Sequence, residues 1–226
     1  IIRLARLYPL YFFAYVIGAA FILLKLLANN NFSLGMSQFI GSSLFGALSL
    51  PYFATDILNS ESPAFPFATQ AWSIFWEFCV SGAFFFWVTN GKKHIKPIAL
   101  LCFIALACFT IPDKTIDGGW QTYNFPIGGL RAFFSFSMGI ICAQYLAHKK
   151  QNKLPLTYIG YFAFIIAVYY MVFERNTFVF VELFLVSIVF PIVIIGISQS
   201  NAPIFNNAFG DWLGGISYSV YLLHGI

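Results

Sequence analysis

Gln70-Ala71-Trp72-Ser73-Ile74-Phe75-Trp76-Glu77-Phe78-Cys79-Val80-Ser81 opens an apolar segment that runs to Val88 and carries one carboxylate among aromatics. On a helix, Gln70, Ser73, Glu77 and Ser81 recur at steps of three and four residues and share one face. Trp72, Trp76, Cys79 and Ala83 line the neighbouring face. The segment is long enough to cross a bilayer as a helix. A Glu inside such a helix costs several kcal/mol unless it meets a partner or water, so it marks a functional residue by default. The alternative is a structural Glu that joins two helices.

Composition extends this reading to the whole chain. Hydrophobic residues make up 60% of the 226 residues and charged ones 9%, far below the roughly 25% usual in soluble domains. The predicted fold class is therefore an all-α, polytopic transmembrane bundle. Net charge is +4, but the basic residues stand in short clusters between apolar runs, which excludes a nucleic-acid face. Cys79, Cys102, Cys108 and Cys142 all fall in apolar runs without a C-x-x-C pair, and read as packing residues rather than metal ligands or disulfides. No metal site is expected. The chain starts without Met and stops inside an apolar run at Ile226, so it reads as a portion of a larger membrane domain.

Seven spans are expected, over residues 7–28, 70–89, 97–111, 127–147, 156–173, 178–197 and 212–226. Pro9 is placed in the first turn of the first span, where a missing N–H is harmless. Residues 29–69 are more polar and broken by Pro51, Pro63 and Pro66, with a Ser- and Gly-rich interfacial or re-entrant segment at 36–50. With Arg3 and Arg6 in the cytoplasm, Lys92, Lys93 and Lys96, then Lys149, Lys150 and Lys153, fall on the same side. The acidic loops, holding Asp56 and Glu61, Asp113 and Asp117, and Glu174, fall outside. That agreement holds only if 36–50 does not cross.

Glu77 lies about 10 Å below the outer end of its span, and Lys25, Arg131 and Glu182 about 5–6 Å below theirs. Gathered around a hydrated cavity, these charges offset one another. His224 lies about 18 Å into the last span, with Ser217 and Tyr221 on its face. Arg3 and Arg6 form an R-x-x-R pair at the mouth of the first span, a spacing suited to gripping phosphate and equally to positive-inside anchoring.

Four stretches together resemble the acyltransferase-3 family of integral membrane O-acyltransferases. They are Arg3-Leu-Ala-Arg6-Leu-Tyr-Pro9-Leu-Tyr11, Ala71-Trp72-Ser73-Ile74-Phe75-Trp76-Glu77-Phe78, Arg131-Ala-Phe-Phe-Ser-Phe-Ser-Met-Gly139, and Leu213-Gly-Gly-Ile-Ser217-Tyr218-Ser-Val-Tyr221-Leu-Leu-His224. The resemblance covers essentially the whole chain in the family's order. It implies a bundle of about ten spans that passes an acyl group, often acetyl, from cytoplasmic acyl-CoA to a hydroxyl of a cell-envelope glycan or a similar acceptor. It implies no permanently bound cofactor, and a place in the bacterial inner (plasma) membrane.

By that resemblance, Arg3 and Arg6 engage the acyl donor. Trp72, Ser73, Tyr218 and Tyr221 line the substrate cavity, and Glu77, Arg131 and His224 are candidate catalytic residues. The family's presumed catalytic His belongs to a span upstream of Ile1, and His224 matches a different, C-terminal motif. The stretch alone is therefore expected to be inactive. The missing His would act as general base for the acceptor hydroxyl or as transient acyl carrier. The rival from another class is a proton-coupled transporter or flippase of polar solutes, which intramembrane Glu, Arg and His also suit. The sequence holds no repeated half with paired broken spans to support it.

Overall fold

A computed structural model describes residues 2–28, 32–53, 63–89, 94–113, 116–148, 154–173, 178–198 and 207–223. The described residues form helices α1 (Ile2–Ala28), α2 (Phe32–Ala47), α3 (Ala71–Thr89), α4 (Ile95–Asp113), α5 (Phe125–His148), α6 (Leu154–Phe173), α7 (Val179–Phe184), α8 (Phe190–Ser198) and α9 (Ala208–Leu223). A π-helical turn, Leu185–Val189, joins α7 to α8. No strand forms among these residues; there is one isolated bridge, Pro63 with Gln121. The fold is all-α, as the composition requires.

Five helical stretches are long and apolar enough to cross a membrane: Leu7–Ala28, Ala71–Val88, Ile95–Pro112, Phe125–His148 and Val179–Ser198. A shorter apolar stretch, Thr157–Tyr170, lies in α6. Their outer faces carry Phe13, Leu24, Phe85, Leu101, Phe162 and Phe180, all exposed. Water would not tolerate so continuous an apolar surface, whereas lipid matches it.

Several boundaries differ from those expected. α1 begins at Ile2 rather than Leu7, because Arg3-Leu-Ala-Arg6-Leu are good helix formers. Pro9 therefore sits inside α1 and not in its first turn, and leaves the Ala5 carbonyl without its usual donor. α4 runs through Pro112 to Asp113. The Val179–Ser198 stretch opens into the π turn, where the Phe190 N–H reaches back to the Leu185 carbonyl. Pro191 follows immediately and cannot donate to the Ser187 carbonyl, so the regular ladder is interrupted on both sides of that point.

The chain divides into two compact units: Ile1–Ala83 with Gly118–Gly129 and Asn207–Ile226, and Phe84–Asp117 with Leu130–Asn206. In the second, α6 packs along α8. Gly160 and Gly196 meet there backbone to backbone, and a Cβ on Gly160 would stand 2.8 Å from the Gly196 Cα. Ala167, Leu185 and Val189 form the buried cluster beside them.

The first unit is less regular. At 16 residues α2 is too short to span, so its last carbonyls end inside the protein and need partners there. Two sets of donors supply them. The Leu50 N–H returns to the Phe45 carbonyl and the Ser49 N–H to that of Gly46, a Schellman closure with Ser49 in the left-handed region at φ 56°. Three tyrosines spaced along α1 donate the rest: Tyr8 to the Ala47 carbonyl (2.6 Å), Tyr11 to that of Gly46, and Tyr15 to that of Ser43 (2.9 Å).

Beyond α2, extended backbone pairs with itself. The Tyr52 N–H donates to the Ala64 carbonyl and the Ala64 N–H to the Trp120 carbonyl, both at 2.8 Å. Ala64, Phe65, Phe67 and Ala68 are buried among Tyr11, Tyr15, Ile74 and Phe125. A stretch expected to be a polar connection is thus core, because its prolines carry small and aromatic residues between them and its backbone groups find partners.

Candidate functional site

The Trp-rich face of α3 is the best-defined feature of the first unit. α3 starts where the Ala71 N–H bonds the Ala68 carbonyl. Ala71 and Ile74 then drop into the core, which fixes the rotation of the helix. Trp72, Phe75 and Trp76 consequently lie along its flank, packed against the same core.

Glycines hold the two indoles. A Cβ on Gly129 would stand 2.7 Å from the Trp76 ring, and one on Gly128 would stand 2.9 Å from that of Trp72. Gly119, at φ 111°, would meet the Gly128 Cα at 2.5 Å and the Trp72 ring at 3.1 Å. Only glycine allows that backbone angle and that approach together. Asn124 fixes the loop in this position: its side-chain carbonyl accepts from the Gly119 N–H (3.0 Å) and the Gln121 N–H (3.1 Å), while its amide donates to Gln121 Oε1 (3.2 Å).

Phe125, buried at the start of α5, completes the wall. Its ring centroid lies 5.1 Å from that of Trp76 and 5.6 Å from that of Phe75. Trp76 Nε1 is buried here without a hydrogen-bond partner. Such a donor costs about 1–3 kcal/mol, so the packing around it offsets a penalty as well as fixing the ring.

The polar stripe follows a different path from the core. Ser73 is half-buried and its hydroxyl bonds the Gln70 carbonyl at 3.0 Å. Ser81 is half-buried, whereas Glu77 is exposed. The buried positions of α3 in this unit are Ala71, Ile74 and Val80. The apolar face of α3 takes the core slots, and Glu77 stands exposed. Arg131 is half-buried and belongs to the other unit.

The remaining candidates are distributed along the chain. Arg3 and Arg6 lie on the first turns of α1 and Tyr218 and Tyr221 on α9, all four with side chains outside the described residues. His224 lies wholly outside them, as do Lys92, Lys93, Lys149, Lys150, Lys153, Asp56, Glu61 and Glu174. Lys25 sits 4.5 Å over the Phe21 ring, a cation–π contact along one helix face. Glu182 accepts a hydrogen bond from the Ile116 N–H at 2.9 Å, which ties α7 to the chain after α4. Among the described residues no cluster of His, Cys, Asp and Glu could hold a metal.

Sequence reasoning missed Gly119, Asn124, Gly128, Gly129 and Phe125. The signal was present in two Gly-Gly pairs, Gly118-Gly119 and Gly128-Gly129, on either side of a short polar turn.

Helices long and apolar enough to cross a membrane, one of them carrying a clamped Trp face beside a carboxylate, define a polytopic membrane protein. A family model for the acyltransferase domain matches residues 2–226, so the chain belongs to the acyltransferase-3 family of membrane acyltransferases. No curated protein and no solved structure matches it.

Proposed function

We propose that this chain belongs to an O-acyltransferase that moves an acyl group, most simply acetyl, from cytoplasmic acyl-CoA to a hydroxyl of a cell-envelope glycan. The observation that carries the proposal is the rigid Trp72–Trp76 face, clamped by three glycines and Phe125, with Glu77 leaving the helix one residue beyond the second indole. A surface so firmly fixed suits the positioning of a reacting group, where small displacements cost large factors in rate.

In this reading Arg3 and Arg6 grip the donor's phosphates by charge-assisted hydrogen bonds at the cytoplasmic end of α1. Glu77 orients the acceptor hydroxyl or the general base, and Arg131 balances charge on the polar path. Residue 1 faces the cytoplasm and the membrane is the bacterial inner membrane. Tyr218 and Tyr221 belong to the substrate cavity, and His224 is a candidate catalytic residue.

The test uses the complete protein in liposomes with labelled acetyl-CoA outside, on the side exposing Arg3. Arg3→Ala with Arg6→Ala is expected to abolish most donor use with insertion intact, each lost bond being worth about 1.5–3 kcal/mol. The double Lys variant recovers part, since Lys lacks the bidentate fork. Full activity in the double Ala variant refutes the donor site.

A further inference from the structure

A second polar feature lies in the first unit, away from the Trp face. Helical Ser and Thr in apolar surroundings normally turn back onto their own backbone. Ser43 bonds the Phe39 carbonyl (2.7 Å), Thr110 that of Leu106 (2.8 Å) and Ser187 that of Leu183 (2.6 Å). Ser42 does not. It is 1% exposed, and its Oγ has no hydrogen-bond partner in the protein.

Ser42 lines a cavity bordered by α1, α2 and the 63–68 segment, with Tyr11, Tyr15, Gly46, Tyr52 and Phe67 among its walls. The room open to the centre of a water molecule is about 10 Å³, close to what one water requires. Oxygens are available around it. The hydroxyls of Tyr11 and Tyr15 donate to α2 carbonyls and retain acceptor lone pairs. The Tyr52 hydroxyl reaches the α2 backbone one residue before Ser42, since a Cβ on Gly41 would stand 2.5 Å from it. The Gly46 carbonyl already accepts from the Tyr11 hydroxyl and the Ser49 N–H, so the tyrosine oxygens are the partners that remain.

We propose that this cavity is a binding site for one ordered water molecule, held by Ser42 Oγ and the tyrosine oxygens on the opposite wall. Three facts converge: a buried hydroxyl turned away from its own backbone, a space of single-water size, and more than one further oxygen to complete its hydrogen bonds. The water finishes what the tyrosine ladder begins. α2 ends inside the protein, and the water joins Ser42 to the tyrosine oxygens around it. The site is independent of the acyl-transfer reading, because it rests on the closure of α2 alone.

The test is a structure of the complete protein in a lipid nanodisc, at a resolution where buried waters are visible. The expected result is a single density within about 3 Å of Ser42 Oγ and of at least one tyrosine oxygen. Ser42→Ala is expected to lose that density while keeping the position of α2, and Ser42→Thr to keep it. An empty cavity, an elongated lipid-like density, or a Ser42 hydroxyl bonded to the Gln38 carbonyl overturns the proposal. So does full density in Ser42→Ala.

Discussion

Among the described residues, each unit contains a contact in which two glycine backbones touch, and the two are built differently. Gly160 and Gly196 meet on two regular helices, α6 and α8, where a missing side chain lets the axes come close. Gly119 and Gly128 meet at a turn, with Gly119 in a left-handed conformation and an indole lying across both. In the second unit the contact is a matter of distance, and the helices can move apart to admit a methyl group. In the first it is a matter of chain shape, and no rigid shift satisfies both the backbone angle and the ring. A specific backbone shape is therefore built where the Trp face is held, while generic helix packing suffices elsewhere.

The comparison breaks most visibly at Gly119. Gly119→Ala sets a Cβ against the Gly128 backbone and strains φ, with an expected loss of about 3 kcal/mol or more. Thermal unfolding in detergent should show a large drop or failure to accumulate folded protein. Gly160→Ala should cost less, about 1–3 kcal/mol, because α6 can slide on α8. Equal losses at the two sites would mean that both contacts are generic. The smallest effect has the opposite sign. Ser49 holds a left-handed φ without being glycine, so Ser49→Gly is expected to stabilise the closure of α2 by about 1 kcal/mol, read as a rise in melting temperature. A fall would show that the Ser49 side chain contributes more than its backbone strain costs.

The helices were legible because uninterrupted apolar runs of this length leave few alternatives, and Leu7–Ala28 and Ala71–Val88 follow the hydropathy closely. The short helix α2 was partly legible, since the Ser- and Gly-rich 36–50 segment stood out from the longer apolar runs. The buried path through Ala64, Phe65 and Phe67 was not. Its partners, Tyr52 and Trp120, are far away in the sequence, and prolines signal a connection whether it is exposed or buried. The π turn was hidden for a similar reason, because its apolar residues fit either register.

At the candidate site the motif residues Trp72, Ser73 and Glu77 were readable from their helical spacing, but not which of them face the core. Ala71 and Ile74 fill that face, and packing fixes the rotation of α3 without regard to its polar stripe. The glycines that seat the indoles were unreadable as partners, because a close approach is a property of two distant segments together.

The most direct test of the central claim, that α3 carries a working carboxylate on a rigid aromatic support, is acyl transfer by the complete protein carrying Glu77→Gln, measured beside wild type in the same liposomes. Gln keeps the shape and hydrogen bonding of Glu and removes its charge. The expected result is normal insertion and thermal stability with most acyl transfer lost. Transfer at the wild-type rate would contradict the account and leave Glu77 a structural residue of the helix.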